Sequence, residues 1–320
     1  MGAKQRLLVF IDTRGSAAQP EPALERGVFL AKEINAGLEL FLIEHAHIPE
    51  HLFGAPLGWG GLEPGDHLQQ AMAWLEQLAE PLSKEGLAVC KDVVWHRHPY
   101  EAVLEKVAAT RPDIVIKTTR HDTLLHRTLF NYTDWHLIRN CPCPLLLAKS
   151  EDEWTTRRIV ACVDPAYIHS QAETLDNVII ETAQRLAYRL RGELHIFHSI
   201  EPSPLLMAWI QEHGWSLKSA EQRIHEQHEA LLEELLRPYG ISTRRVHVVT
   251  GLPDKTLVQF VEAIEASLVV MGTVSKGALG NLLIGNTAEK VLDGLKCDIL
   301  VVKSNPIEVK AAVPAVCLPA

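Results

Sequence analysis

The chain has 320 residues, of which 47% are hydrophobic and 22% charged, with a net charge of −9 at pH 7 and a pI near 6.0. This length suits two domains, and the apolar content is sufficient for packed cores, which excludes a disordered chain and a fibrous repeat. The negative net charge gives no broad basic surface. A role in binding DNA or RNA is therefore excluded, whereas small ligands and protein partners remain.

The first apolar run, Leu7–Ile11, is too short for a signal peptide or a membrane span, and it is predicted to be a strand. The 6 cysteines are sparse for this length and lie mostly in apolar runs. That distribution is typical of buried thiols in a reducing compartment. We therefore expect a cytoplasmic protein without membrane insertion.

Sequence landmarks recur at an interval of about 154 residues, which indicates a duplicated chain. The polar and acidic stretch Ser150–Thr156 falls between the copies as a linker. We predict one domain over residues 1–150, a second over 157–304 and a flexible tail over 305–320. The matched landmarks are Asp12 with Asp164, Asp113–Lys117 with Ser267–Gly272, and Cys143–Lys149 with Cys297–Lys303.

Short β-branched runs alternate with longer segments of helical period in both copies, which predicts an α/β fold. Strands buried under helices on both faces form a parallel, doubly wound sheet. Ligands of such sheets bind beyond the carboxyl ends of the strands, where the strand order reverses. The strands predicted in the second copy are Ile159–Val163, Glu193–Ser199, Arg245–Val249, Leu268–Met271 and Ile299–Val302.

A glycine-rich loop follows the predicted strand Leu268–Met271 and leads into a helix that begins near Ala288. Glycines between a strand and a helix N-terminus offer free backbone N–H groups and a positive dipole end, which are the requirements for holding phosphate. The alternative is that these glycines only form a tight turn. The glycines are Gly272, Gly277, Gly280 and Gly285.

The loop resembles that of the universal stress protein family, whose nucleotide-binding members carry the pattern G-x2-G-x9-G-[ST] at this place. Gly272 and Gly285 match its first and third glycines, whereas Ser275 replaces the second glycine and Asn286 replaces the hydroxyl residue. The resemblance extends over nearly the whole chain as two tandem domains. It is also carried by the stretches VVWHRHPYEAV and TDWHLIRNCPCP in the first copy and by LIGNTAEKVLD in the second.

The resemblance implies two five-stranded parallel sheets in the strand order 3-2-1-4-5, flanked by helices and packed as a pseudo-dimer. It also implies a stress-response protein that binds ligands and protein partners rather than an enzyme, with a homodimer of tandem chains as a possibility left open. The implied ligand is ATP or another adenine nucleotide with Mg²⁺, and Asp12 and Asp164 would lie near its adenine or ribose. The predicted binding residues are Val163, Asp164, Met271, Gly272, Ser275, Gly277, Gly285, Asn286 and Thr287.

The first copy departs further from the pattern. Lys117 is aligned with Gly272, and the span Thr118–Asn131 contains no glycine. A cradle of backbone N–H groups in left-handed conformations is then hard to form. We expect this site to be lost or repurposed, with His96, His98 and His136 around it.

Histidine is abundant, with 16 residues, so a metal site has to be considered. His225, His228 and Glu229 are weak candidates because helical spacing places them on neighbouring ridges. The alternatives are that His228 is a satisfied, partly buried histidine on an apolar stripe, and that His225 and Glu229 form an exposed ion pair.

Two other functions stay open. Apolar segments after the second strand of each copy, with Trp59, Trp209 and Trp215, could line a pocket for an apolar or lipid-like ligand, or could pack the halves together. A slow nucleotide hydrolase would use Asp164. No G-x-S-x-G context supports a nucleophile, so we expect no enzyme activity of physiological importance.

Overall fold

The computed structural model describes residues 5–11, 21–44, 64–119, 121–122, 127–128, 130–149, 154–165, 171–201, 203, 208, 212–213, 216–273 and 286–304. Of these, the residues within 1–118 and 131–151 form one compact unit, and those within 119–130 and 152–306 form another. The predicted tail, residues 305–320, lies outside the described residues. Within the described part of the chain, no helix is both long and apolar enough to cross a membrane.

The first half contains a parallel five-stranded sheet in the order β3-β2-β1-β4-β7. Strands β5 and β6 form a separate short antiparallel pair. In chain order the elements are β1 (Arg6–Ile11), α1 (Pro22–Ile34), β2 (Gly37–Glu44), α2 (Pro64–Lys84), β3 (Val89–Trp95), α3 (Pro99–Thr110), β4 (Ile114–Thr118), β5 (His121–Asp122), β6 (Arg127–Thr128), α4 (Tyr132–Asn140) and β7 (Leu145–Ala148).

The second half repeats this arrangement with the order β10-β9-β8-β11-β12, also parallel. Both sheets therefore have the predicted order 3-2-1-4-5, and the predicted α/β fold of two tandem domains is confirmed. The elements are β8 (Arg158–Cys162), α5 (Gln171–Leu190), β9 (Glu193–Ile200), α6 (Leu217–Leu236), β10 (Val246–Thr250), α7 (Pro253–Ala263), β11 (Leu268–Gly272), α8 (Asn286–Gly294) and β12 (Asp298–Val302).

The core of each half follows from the hydrophobic pattern. Central strands are apolar on both faces because helices cover both sides of a parallel sheet. Leu268, Val269 and Val270 of β11 are fully buried. Helix α5 packs onto the sheet with one face at helical spacing, formed by Ile179, Ala183 and Leu190, none of which is more than 2% exposed.

The register of the strands corrects one prediction in the first half. Leu7 of β1 pairs with Ile114, and Ile159 of β8 pairs with Leu268. Ile114 and Leu268 are therefore equivalent, so Lys117 corresponds to Met271 and Thr118 to Gly272. The alignment of Lys117 with Gly272 was wrong by one residue, and in a strand such a slip assigns a side chain to the opposite face.

The predicted linker contains an anchored residue. Trp154 is 5% exposed, and its indole N–H donates a hydrogen bond to Oδ2 of Asp298 at 2.7 Å. Asp298 is itself 1% exposed. The second unit therefore begins before β8, and a tryptophan among polar residues was the available signal.

Candidate functional site

The carboxyl edge of the second sheet contains the point where the strand order reverses, between β8 and β11. Asp164 is exposed two residues after β8 ends, and Gly272 is the last residue of β11. Because β8 and β11 are parallel neighbours, these residues lie on the two sides of one crevice. We refer to this crevice as the switch-point edge.

The structure brings four of the predicted binding residues to the switch-point edge. These are Val163, Asp164, Met271 and Gly272. Asn286 and Thr287 are the first two residues of α8. The predicted residues Ser275, Gly277 and Gly285 lie outside the described residues.

Helix α5 spans the switch-point edge with two consecutive residues. Leu175 lies against Gly272, where an added Cβ would come within 2.5 Å of the leucine Cδ2. Oδ1 of Asp176 accepts a hydrogen bond from the Asp164 N–H at 3.1 Å. One turn of the helix therefore fixes the ends of both β8 and β11, and Gly272 is needed for this packing irrespective of any phosphate.

Thr273 follows Gly272 and contributes a backbone N–H and a hydroxyl group. Its N–H donates to the Val302 carbonyl at 3.3 Å. Its hydroxyl is buried and has no hydrogen-bond partner among the described residues. A buried hydroxyl without a partner costs free energy, so a ligand that bonds to it would gain affinity.

The peptide that joins Val163 to Asp164 is held at both polar groups. Its N–H donates to Asp176, and its carbonyl accepts from Nδ1 of His198 at 3.0 Å. Because a carbonyl can only accept, Nδ1 of His198 carries a proton. Nε2 of His198 then accepts from Nδ1 of His228 on α6 at 2.8 Å, and the two rings stack with centroids 5.0 Å apart.

The two side chains that hold this peptide titrate differently from exposed residues. The pKa of Asp176 is raised to about 7, mainly by burial; the hydrogen bond from the Asp164 N–H opposes the rise, and the charge of Asp164 adds to it. Burial lowers the pKa of His198, which is 2% exposed. At neutral pH, His198 is therefore uncharged and Asp176 is near its midpoint.

The weak metal candidates do not converge. Nδ1 of His228 is engaged with His198, which confirms that His228 is a satisfied histidine, and Nδ1 of His225 lies 3.5 Å from Oε1 of Glu229. In the described part of the chain, no group of three or more His, Cys, Asp or Glu residues is arranged to hold a metal ion.

At the equivalent edge of the first unit, a lysine and an aspartate of the chain neutralise each other's charge. Nζ of Lys117 lies 2.6 Å from Oδ1 of Asp134, and both side chains are 1% exposed. Oδ2 of Asp134 accepts from the Asn131 N–H at 2.8 Å and so closes a capping box at the start of α4. Thr118 accepts the Ala23 N–H through its hydroxyl at 3.0 Å. A carboxylate of the chain itself already occupies the end of α4 that would attract an anion.

The histidines predicted around this first edge form an aromatic cluster instead. His136 stacks on Tyr100 with ring centroids 4.2 Å apart, and Tyr132 lies at the same distance from His136. The ring of His98 is 6.1 Å from that of Tyr100. Nδ1 of His96 is 3.0 Å from the amide nitrogen of His98.

Sequence reasoning missed Asp176 and His198. A histidine inside the apolar run of β9 was a signal for a buried polar contact, although nothing local indicated its partner. Asp176 lies beside the buried Leu175, but a lone acid on a helix is usually solvated. The apolar segments with Trp59, Trp209 and Trp215 lie outside the described residues.

Comparison with known proteins gives the same architecture. The model of the universal stress protein family matches residues 4–149 and again residues 155–303. The chain therefore belongs to the universal stress protein family, and it contains two copies of the family's domain in tandem.

Several known proteins are similar to this chain over most of its length. Universal stress protein E of Escherichia coli K12 is 29% identical over 305 residues, which cover 95% of each chain. The universal stress protein E homolog of Haemophilus influenzae is 30% identical over 238 residues, which cover 74% of this chain and 75% of the homolog. A putative universal stress protein from Pseudomonas aeruginosa UCBPP-PA14 has a solved structure with a TM-score of 0.73 and 26% identity over 94% of each chain. The predicted resemblance to the universal stress protein family is thus confirmed, and the similarity extends along nearly the whole chain to universal stress protein E.

Proposed function

We propose that this protein acts in stress responses by binding ligands, and that its second domain binds an adenine nucleotide at the switch-point edge. The observation that carries the proposal is the position of Asp164 on one side of this edge and of Gly272 and Thr273 on the other. Ligands of doubly wound sheets bind at this place. The buried hydroxyl of Thr273, which has no hydrogen-bond partner among the described residues, supports a ligand there.

The charges at the edge determine how a nucleotide would lie. Asp164 and Asp176 repel phosphate, so the phosphates belong on the β11 side, near the N-terminus of α8 at Asn286. The exposed Asp164 carboxylate suits the hydroxyl and amino groups of the nucleoside. Mg²⁺ would bind as a complex with the phosphates.

A binding role is favoured over catalysis by the state of His198, the histidine that bonds to Val163 in the described part of the chain. His198 uses both ring nitrogens in bonds to Val163 and His228, so it does not face a substrate as a general base. We expect ATP turnover with Mg²⁺ well below the common enzyme range of roughly 1 per second. Turnover in that range, abolished by Asp164→Ala, would show that the protein is a nucleotide hydrolase.

Calorimetric titration with ATP tests the binding role. The wild-type chain is compared with the double variant Ser275→Gly plus Asn286→Ser, which restores the family pattern. The variant should bind ATP several-fold more tightly, because glycine removes a Cβ from the phosphate loop and serine supplies the expected hydroxyl. Absence of ATP binding in both proteins would contradict a nucleotide site and favour the apolar ligand.

A further inference from the structure

The Val163–Asp164 peptide is held by two buried titratable side chains. Asp176 on α5 is 6% exposed and holds the N–H, while His198 on β9 is 2% exposed and holds the carbonyl. The peptide directly precedes the Asp164 side chain. A change in the protonation of either group therefore acts on the position of Asp164.

Among the described residues, no cation is paired with Asp176. In the described part of the chain, the Asp176 carboxylate accepts a hydrogen bond from the Asp164 N–H. The nearby charge that affects its pKa is the negative charge of Asp164. An ionised carboxylate that is buried without a cation is costly and takes up a proton more readily.

We propose that Asp176 is a positioning residue that couples anion binding at the switch-point edge to the uptake of a proton. It holds the Asp164 amide in the free protein and becomes protonated when phosphate binds on the β11 side of this edge, where the preceding residue, Leu175, packs against Gly272. The inference rests on the proposed nucleotide site and adds its regulation by pH.

The sign of the coupling follows from electrostatics. A bound phosphate adds negative charge near Asp176 and raises its pKa above the value of about 7 in the free protein. The complex then holds more protons than the free protein, so anion affinity rises as the pH falls through the neutral range. One linked proton gives at most about a tenfold change per pH unit.

Protonation of His198 also favours anion binding as the pH falls, but it takes place at lower pH than that of Asp176. The charged and titratable groups that act on it are Asp164, His228 and His225. An anion would raise the pKa of His198 as well, but from a value already lowered by burial. The change between neutral and mildly alkaline pH therefore belongs to Asp176.

The test compares ATP binding by the wild-type chain and by Asp176→Asn at about pH 6 and about pH 8, in buffers with different ionisation enthalpies. The asparagine keeps an oxygen that accepts the Asp164 N–H but cannot titrate. The phosphates of ATP titrate equally with both proteins, so the difference between the proteins isolates Asp176. We expect the wild type to show a several-fold greater gain in affinity on acidification, with additional proton uptake that the variant lacks.

Carbon-13 NMR of the wild-type carboxyl groups without ligand gives an independent measurement, in which Asp176 should titrate near neutral pH. Titration in the ordinary acidic range overturns the inference, whatever ATP does. ATP binding with equal pH dependence and proton uptake in both proteins also overturns it and leaves the nucleotide site intact. Absence of ATP binding at both pH values, with Asp176 titrating near neutral pH, contradicts the nucleotide site and the coupling together.

Discussion

At the scale of single residues, Gly272 shows how one sequence feature serves two purposes. Its place in the family pattern indicates phosphate binding, whereas its contact with Leu175 shows that α5 needs this position to be free of a Cβ. The packing role explains the glycine without a ligand. The hydroxyl of Thr273 and the position of Asp164 are therefore the stronger indications of a binding site.

The packing role of Gly272 gives a stability prediction. In Gly272→Ala the new methyl would lie 2.5 Å from Cδ2 of Leu175, so the Leu175 side chain, its helix or the strand must shift, at a cost of about 1–3 kcal/mol. Urea unfolding measures this cost. In Gly272→Ala plus Leu175→Ala the methyl has room, so the double variant should lose less stability than the sum of the single variants. Strict additivity would contradict a direct contact.

At the scale of secondary-structure elements, the two halves use equivalent positions in different ways. In the first half, Nζ of Lys106 lies 2.6 Å from Oε1 of Glu39 and 2.7 Å from Oδ2 of Asp92. By strand register, Glu39 corresponds to His195 and Asp92 to His247. Counted from the starts of α3 and α7, Lys106 corresponds to Phe260. Nδ1 of His195 lies 3.1 Å from Nε2 of His247, and the ring of Phe260 is 4.4 Å from that of His247.

This histidine pair makes the second half sensitive to acid. Burial lowers the pKa of both His195 and His247 below the ordinary value of 6.5. The unfolded chain then binds more protons, so the stability from these residues is present above pH 6.5 and is lost as the pH falls through the lowered pKa values. Each histidine adds a slope of at most about 1.4 kcal/mol per pH unit.

The variant His195→Gln plus His247→Gln tests this sensitivity, because glutamine keeps hydrogen-bonding groups without titrating. Urea unfolding between about pH 7.5 and about pH 5 should show a flatter loss of stability in the variant than in the wild type. Equal slopes would show that the pair does not control acid stability.

The Lys117–Asp134 pair gives a second prediction at this scale. Lys117→Met leaves the buried Asp134 without its cation and should destabilise the first half by about 3–5 kcal/mol. The second half has Met271 and Ala288 at the equivalent positions. Lys117→Met plus Asp134→Ala copies that pair and should recover much of the loss in urea unfolding. A double variant no more stable than Lys117→Met would contradict this expectation and show that losing the capping box with Asp134 costs at least as much as its unpaired charge.

The elements were largely predictable from the sequence because their signals are local. The predicted strand Leu268–Met271 is observed as Leu268–Gly272, and Glu193–Ser199 as Glu193–Ile200. Contacts between distant elements were not predictable in this way. The bond from Asp164 to Asp176 and the register of Lys117 depend on how helices and strands meet, which no short pattern encodes.

At the scale of the whole molecule, one duplicated fold carries two different edges. In the first half, Lys117 and Asp134 neutralise each other at the start of α4. In the second half, Asp164 is exposed, and the facing strand end carries Gly272 and the Thr273 hydroxyl, which has no partner in the part of the chain that the structure describes. This difference predicts that ligand capacity belongs to the second domain, although both domains descend from one repeated pattern.

The most direct test of this assignment is calorimetric titration of ATP into two matched variants, Asp164→Ala and Asp12→Ala, which remove equivalent acids from the two halves. Asp164→Ala should weaken ATP binding, because it removes the carboxylate beside the switch-point edge. Asp12→Ala should leave binding close to that of the wild type. A greater loss in Asp12→Ala than in Asp164→Ala would contradict the assignment and place the ligand in the first domain.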